Sequence, residues 1–191
     1  MNKYGLGLML FFVGGYAQAQ GVTVDTMLKN FTSSVDPLID LLRVISYVGG
    51  LYFAIKGIIK FVDYSKSNGQ VPLSKPILTI VISAFMLSIG ASLDVVTSSI
   101  YGSNGPGAFL APSSNNINAQ AQQIFSSIFI FLKLVGFLAF VRGFFILAKA
   151  VETGQDLMPK GFTHIIGGVL LFHMKATLTI LAGSTGVPLP F

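Results

Sequence analysis

His164 and His173 are the residues whose type most readily suggests chemistry, and their spacing argues against it. They lie nine residues apart in one apolar run. On a helix that is about 2.5 turns, so they point to opposite faces and cannot share a metal ion. Cysteine is absent, which removes thiolate ligands and disulfides together. No Ser-His-Asp, paired-carboxylate or H-E-x-x-H spacing occurs. The expectation is a protein that is not an enzyme, with no metal site and no cofactor beyond structural lipid.

The remaining candidates are charges set within apolar runs: Arg43, Asp94, Lys133 and Lys175. Lysines close each run, and from Lys60, Lys75, Lys149 and Lys160 the four charges lie 17, 19, 16 and 15 residues inward. At 1.5 Å per residue this is roughly 22–29 Å, so all four fall in one layer. A charge at the bilayer centre costs at least about 2.5–3.5 kcal/mol. Off centre, long side chains can snorkel outward. One reading is therefore snorkelling, with Asp94 paired to a basic neighbour. The other is a ring of positive charge that holds lipid phosphates or a partner's acidic groups.

The elements that carry these residues are membrane helices. Of 191 residues, 52% are hydrophobic and only 10% charged, whereas soluble domains average about 25% charged. Residues 1–19 read as a signal peptide, with Lys3 ahead of a short apolar run and Ala17-Gln18-Ala19 as the cleavage site. Residues 20–36 form an amphipathic periplasmic segment, with Met27, Leu28, Phe31 and Val35 at helical spacing. Asp36 then suits an N-cap and Pro37 a first helical position, which predicts a fresh helix start. Spans are expected at 38–61, 77–97, 124–148 and 162–183. They pair into two hairpins, residues 37–100 and 123–184. A Gly-, Pro-, Ser- and Asn-rich loop, 101–122, joins them, and 185–191 form a tail.

The loops inside the hairpins share a pattern. Lys60 to Lys75 and Lys149 to Lys160 both read K-x-V-[DE]…G-Q-x4-K. Gly69-Gln70 and Gly154-Gln155 occupy the same place in each. The pattern predicts an all-α membrane protein built as two tandem hairpins in one orientation, a parallel internal repeat. Both loops carry lysine, while the stretch 98–122 has neither Lys nor Arg. The positive-inside rule therefore places both G-Q loops in the cytoplasm and both mature termini in the periplasm. The basic residues are spread over helix ends rather than gathered in a patch, so direct nucleic-acid contact is not expected. The G-Q loops themselves are read either as helix caps or as docking surfaces for a partner or anionic lipid.

Glycine spacing points to close helix packing. Gly50 and Gly57 are seven apart, as are Gly136 and Gly143, so each pair lies on one helix face. Counted from the loop lysines, the two pairs sit about one turn out of register. Gly167-Gly168 is expected to serve the same end in the fourth span.

The stretch Lys149–Thr177, KAVETGQDLMPKGFTHIIGGVLLFHMKAT, resembles a known family. It is similar to the DotE/IcmC (TraQ-like) group of small inner-membrane proteins in type IVB (Dot/Icm) secretion and IncI-type conjugation systems. Lys160-Gly161 and Thr163 to Gly168 carry most of the likeness. The first loop departs from it, reading VPLSKP where the second reads LMPKGFTHIIGG. The resemblance implies a non-enzymatic inner-membrane subunit in a hetero-oligomer with other secretion-system subunits and phospholipid. A pilin-like structural subunit and a small channel or holin-like protein are the alternatives. Ion-coupled transport is not favoured, because it calls for buried acids and broken helices near the midplane.

Overall fold

The computed structural model describes residues 24–67, 72–109, 119–154 and 156–186. The expected signal peptide, the tail from residue 187, and Gly69, Gln70 and Gln155 lie outside these. Among the described residues every element is helical. In chain order they are α1 (Val24–Lys66), α2 (Ser74–Leu87), α3 (Ile89–Tyr101), a 3-10 turn (Pro106–Phe109), α4 (Ala119–Thr153), α5 (Met158–Phe172) and α6 (Met174–Thr185).

Two of these helices are long and apolar enough to cross a membrane. With 43 and 35 residues, α1 and α4 extend roughly 64 and 52 Å, beyond the 40–45 Å of a bilayer with its headgroups. The helix start expected at Pro37 does not occur; α1 runs through it. Val35 and Ile39, four apart on one face, are both buried. That stripe holds the helix together while Pro37 is turned to the exposed side, where water can take the carbonyl that proline leaves unbonded. Residues 24–36 of the expected amphipathic periplasmic segment are thus the first part of α1.

The second and fourth expected spans are not straight. The first arm bends by 97° where α2 passes to α3, and the second by 87° where α5 passes to α6. Each bent pair passes as a membrane span only when its two parts are taken together. The hinge residues have nearly the same backbone: Ser88 at φ −118°, ψ 43° and His173 at φ −106°, ψ 37°. A hydroxyl one turn later enters each break. Ser92 Oγ lies 2.7 Å from the Phe85 carbonyl and 3.0 Å from that of Ser88. Thr177 Oγ1 lies 2.8 Å from the Leu170 carbonyl and 3.1 Å from that of His173. Side chains inserted into the ladder are a known cause of kinks. Here they also supply partners for carbonyls that lipid could not satisfy.

The long helices run parallel, side by side. Phe31 meets Phe131 with ring centroids 6.0 Å apart, and Phe53 meets Phe145 at 6.1 Å. Further along, Lys56 is ion-paired to Glu152. If both helices cross one membrane in the same direction, the chain must recross it between Lys66 and Ala119. The bent arm α2–α3 is the element in that interval that passes as a span when its two parts are taken together.

Glycine sets how closely each arm packs on its long helix. A Cβ on Gly50 would come 2.9 Å from the Leu87 amide nitrogen, and one on Gly57 2.6 Å from Ile80 Cγ1. In the second half, a Cβ on Gly136 would collide with the Phe172 amide nitrogen, and one on Gly143 would come 2.5 Å from Ile165 Cγ1. Leu87 and Phe172 are the last residues before their hinges, and Ile80 and Ile165 lie seven residues earlier. The glycine pairs are therefore in matching contact positions. The one-turn offset expected between them belongs to the loop lysines instead. Gly168 packs against Phe140, but Gly167 faces open space, so only one of that pair serves packing.

Candidate functional site

The second elbow brings polar side chains of different elements together. His173, at the hinge, has Nε2 3.2 Å from Thr97 Oγ1 on α3. One turn on, Tyr101 Oη lies 2.6 Å from Thr177 Oγ1. These two rungs latch the end of α3 onto the start of α6. The rings of Tyr101 and Phe172 sit edge-on to the imidazole, at 5.6 and 4.8 Å. Lys133, on α4, reaches over the Phe172 ring with Nζ 5.1 Å from its centroid.

Beside the hinge a cavity of about 580 Å³ opens between α4, the start of α6 and the Pro106–Phe109 turn. Lys133 and Lys175 both line it, with Gln122 and His173. Its walls are apolar, formed by Phe129, Ile130 and Phe172 among others. Among the described residues no carboxylate lines it. The local fold explains why the two lysines line one cavity. Lys133 lies three residues before Gly136, whose missing side chain lets α5 come close. The bend at His173 then swings Lys175 across the face of α4 instead of carrying it straight onward.

The other members of the predicted charge layer are placed elsewhere. Arg43 is bonded to Asp40 one turn back on α1, at 2.7 Å, and both are exposed. Asp94 is exposed on α3, and among the described residues it takes part in neither ion pair. The expected ring of four is thus a pair of lysines at one cavity, with Arg43 compensated on its own helix. His164 is not part of the site: its Nδ1 lies 2.8 Å from the Lys160 carbonyl within α5. Among the described residues no group of His, Asp and Glu could hold a metal ion.

At the loop end, Gly154 has φ +67° and its N–H reaches the Ala150 carbonyl at 3.0 Å, a left-handed cap on α4. Lys60 Nζ lies 3.4 Å from Thr79 Oγ1. Lys75, Lys149 and Lys160 are exposed.

Sequence reasoning missed Thr97, Tyr101, Thr177, Lys56 and Glu152 as partners. The signal for the first three was present: Thr97/Tyr101 and His173/Thr177 are both four apart, one face of a helix each. Nothing in the linear pattern tied one pair to the other across 76 residues. No family model matches the chain, and neither does any curated protein or solved structure.

Proposed function

We propose that the protein is a non-enzymatic structural subunit of a type IVB (Dot/Icm-like) secretion or conjugation apparatus in a bacterial inner membrane. It would assemble with larger membrane components through its long parallel helices and its loop end. The observation that carries this reading is the Lys149–Thr177 segment. The residues of its family resemblance include Gly161 and Gly168, which sit in the closely packed seam between α4 and α5. A segment of that kind would hold a hairpin rigid while leaving other faces for partners. On α1, Leu41, Val48, Leu51 and Ile58 are more than 40% exposed, an apolar face suited to lipid or to a neighbouring helix.

We also read α1–α3 and α4–α6 as two copies of one unit. Support comes from the matched hydroxyl bonds at the two hinges and the matched glycine contacts. The loops then face the cytoplasm, and the mature termini the periplasm.

The test is photo-crosslinking from Asp156 in the native bacterium, followed by affinity purification. Recovery of other inner-membrane subunits of a secretion system is the expected result. Recovery of the protein in sheared extracellular filaments would instead favour the pilin-like alternative. The two helix breaks favour one further reading, a small channel, because broken helices can line polar paths through membranes. Ion flux in reconstituted vesicles, above that of protein-free vesicles, would support it.

A further inference from the structure

We propose that the cavity at the second elbow binds one anionic glycerophospholipid, with its phosphate between Lys133 and Lys175 and an acyl chain along the apolar wall. The site has the two halves such a ligand needs. Two ammonium groups and the Gln122 amide line its polar part, and Phe129, Ile130 and Phe172 its apolar part. Neither lysine has a carboxylate partner among the described residues. Lys175 is half-buried, and Lys133 is held over an aromatic ring rather than by an acid.

Depth agrees with chemistry. Lys133 precedes the loop end of α4, Thr153, by 20 residues, roughly 30 Å along the helix. That is the thickness of the hydrocarbon core, so with the loop at one boundary the lysine reaches the other, where phosphates lie. α5 rises 15 residues before its hinge, roughly 22 Å; the bend keeps Lys175 near that level, several ångströms inside the boundary, from which its long side chain can snorkel outward to the phosphates. An uncompensated ammonium pair at this boundary is favourable only beside anions, and the headgroup layer supplies them. This inference does not depend on the secretion-system reading. It follows from the elbow alone.

The experiment is native mass spectrometry of the detergent-purified, delipidated full chain titrated with defined lipids. The wild-type protein should take up one phosphatidylglycerol per chain in preference to phosphatidylcholine of the same acyl chains. Lys133→Gln with Lys175→Gln should weaken that uptake about 25-fold, at about 5-fold per lysine. Arg43→Gln, away from the cavity, should leave it unchanged. Equal uptake of the two lipids by the wild-type protein would overturn the proposal, and this arm needs no variant to fold. So would undiminished phosphatidylglycerol uptake by the double variant, or its displacement by millimolar inorganic phosphate, which would mark a site for the free anion.

Discussion

Gly136 and Gly168 each face the other's backbone. A Cβ on Gly136 would fall 2.7 Å from the Gly168 carbonyl oxygen, and one on Gly168 would fall 2.8 Å from that of Gly136. The contact is backbone on backbone, so no rotamer change can relieve an added methyl. Gly168→Ala should therefore destabilise the α4–α5 hairpin by about 1–3 kcal/mol, the usual cost of overpacking. Gly167→Ala meets open space and should be neutral, or stabilising by up to about 1 kcal/mol through helix propensity. Thermal melts in detergent followed by circular dichroism distinguish the two. Equal melting of both variants would remove the seam from the account of stability.

Parallel packing of α1 and α4 predicts a specific crosslinking pattern. The chain has no cysteine, so introduced pairs report without background. Phe31→Cys with Phe131→Cys, and Lys56→Cys with Glu152→Cys, should both form disulfides under mild oxidation. Phe31→Cys with Glu152→Cys should not. A positive result for the last pair alone would mean the helices run antiparallel.

Where both long helices cross the membrane, the same parallel arrangement puts the two hairpin loops on one side of it. Ser67→Cys and Asp156→Cys should react with a membrane-impermeant maleimide only after permeabilisation. Ser103→Cys, in the connection beyond α3, should react in cells whose outer membrane alone is opened. Labelling of Ser67→Cys and Asp156→Cys from opposite sides cannot be reconciled with two long helices crossing in the same direction.

At the hinges, one hydroxyl occupies each break. Thr177→Val keeps the side chain's shape and removes its bonds to the Leu170 and His173 carbonyls. A buried carbonyl left without a donor costs about 1–3 kcal/mol, and the loss should localise to the elbow. Ser92→Ala should act alike at the first hinge. Tyr101→Phe removes only the bond to Thr177 and should cost about 0.5–1.5 kcal/mol. Hydrogen exchange at residues 170–178 reads the effect, and protection unchanged by Thr177→Val would show that the hydroxyl does not hold the bend.

Composition and hydropathy were enough to read an all-helical chain with long apolar helices, because lipid leaves a spanning segment few other ways to satisfy its backbone. The seven-residue glycine spacings were likewise readable, since two turns return a residue to one helix face. The bends were not. The runs 77–97 and 162–183 carry no proline to mark a kink, and only the packed structure brings Ser92 and Thr177 into the carbonyl ladder. Continuity of α1 through Pro37 was hidden for a similar reason: local preference favours a restart there, and burial of Val35 and Ile39 outweighs it. The charges show the division most plainly. Their depth follows from counting residues along helices. Which of them share a site depends on the 87° turn at His173, which brings Lys175 to the cavity with Lys133; Arg43 pairs with Asp40 one turn back on its own helix.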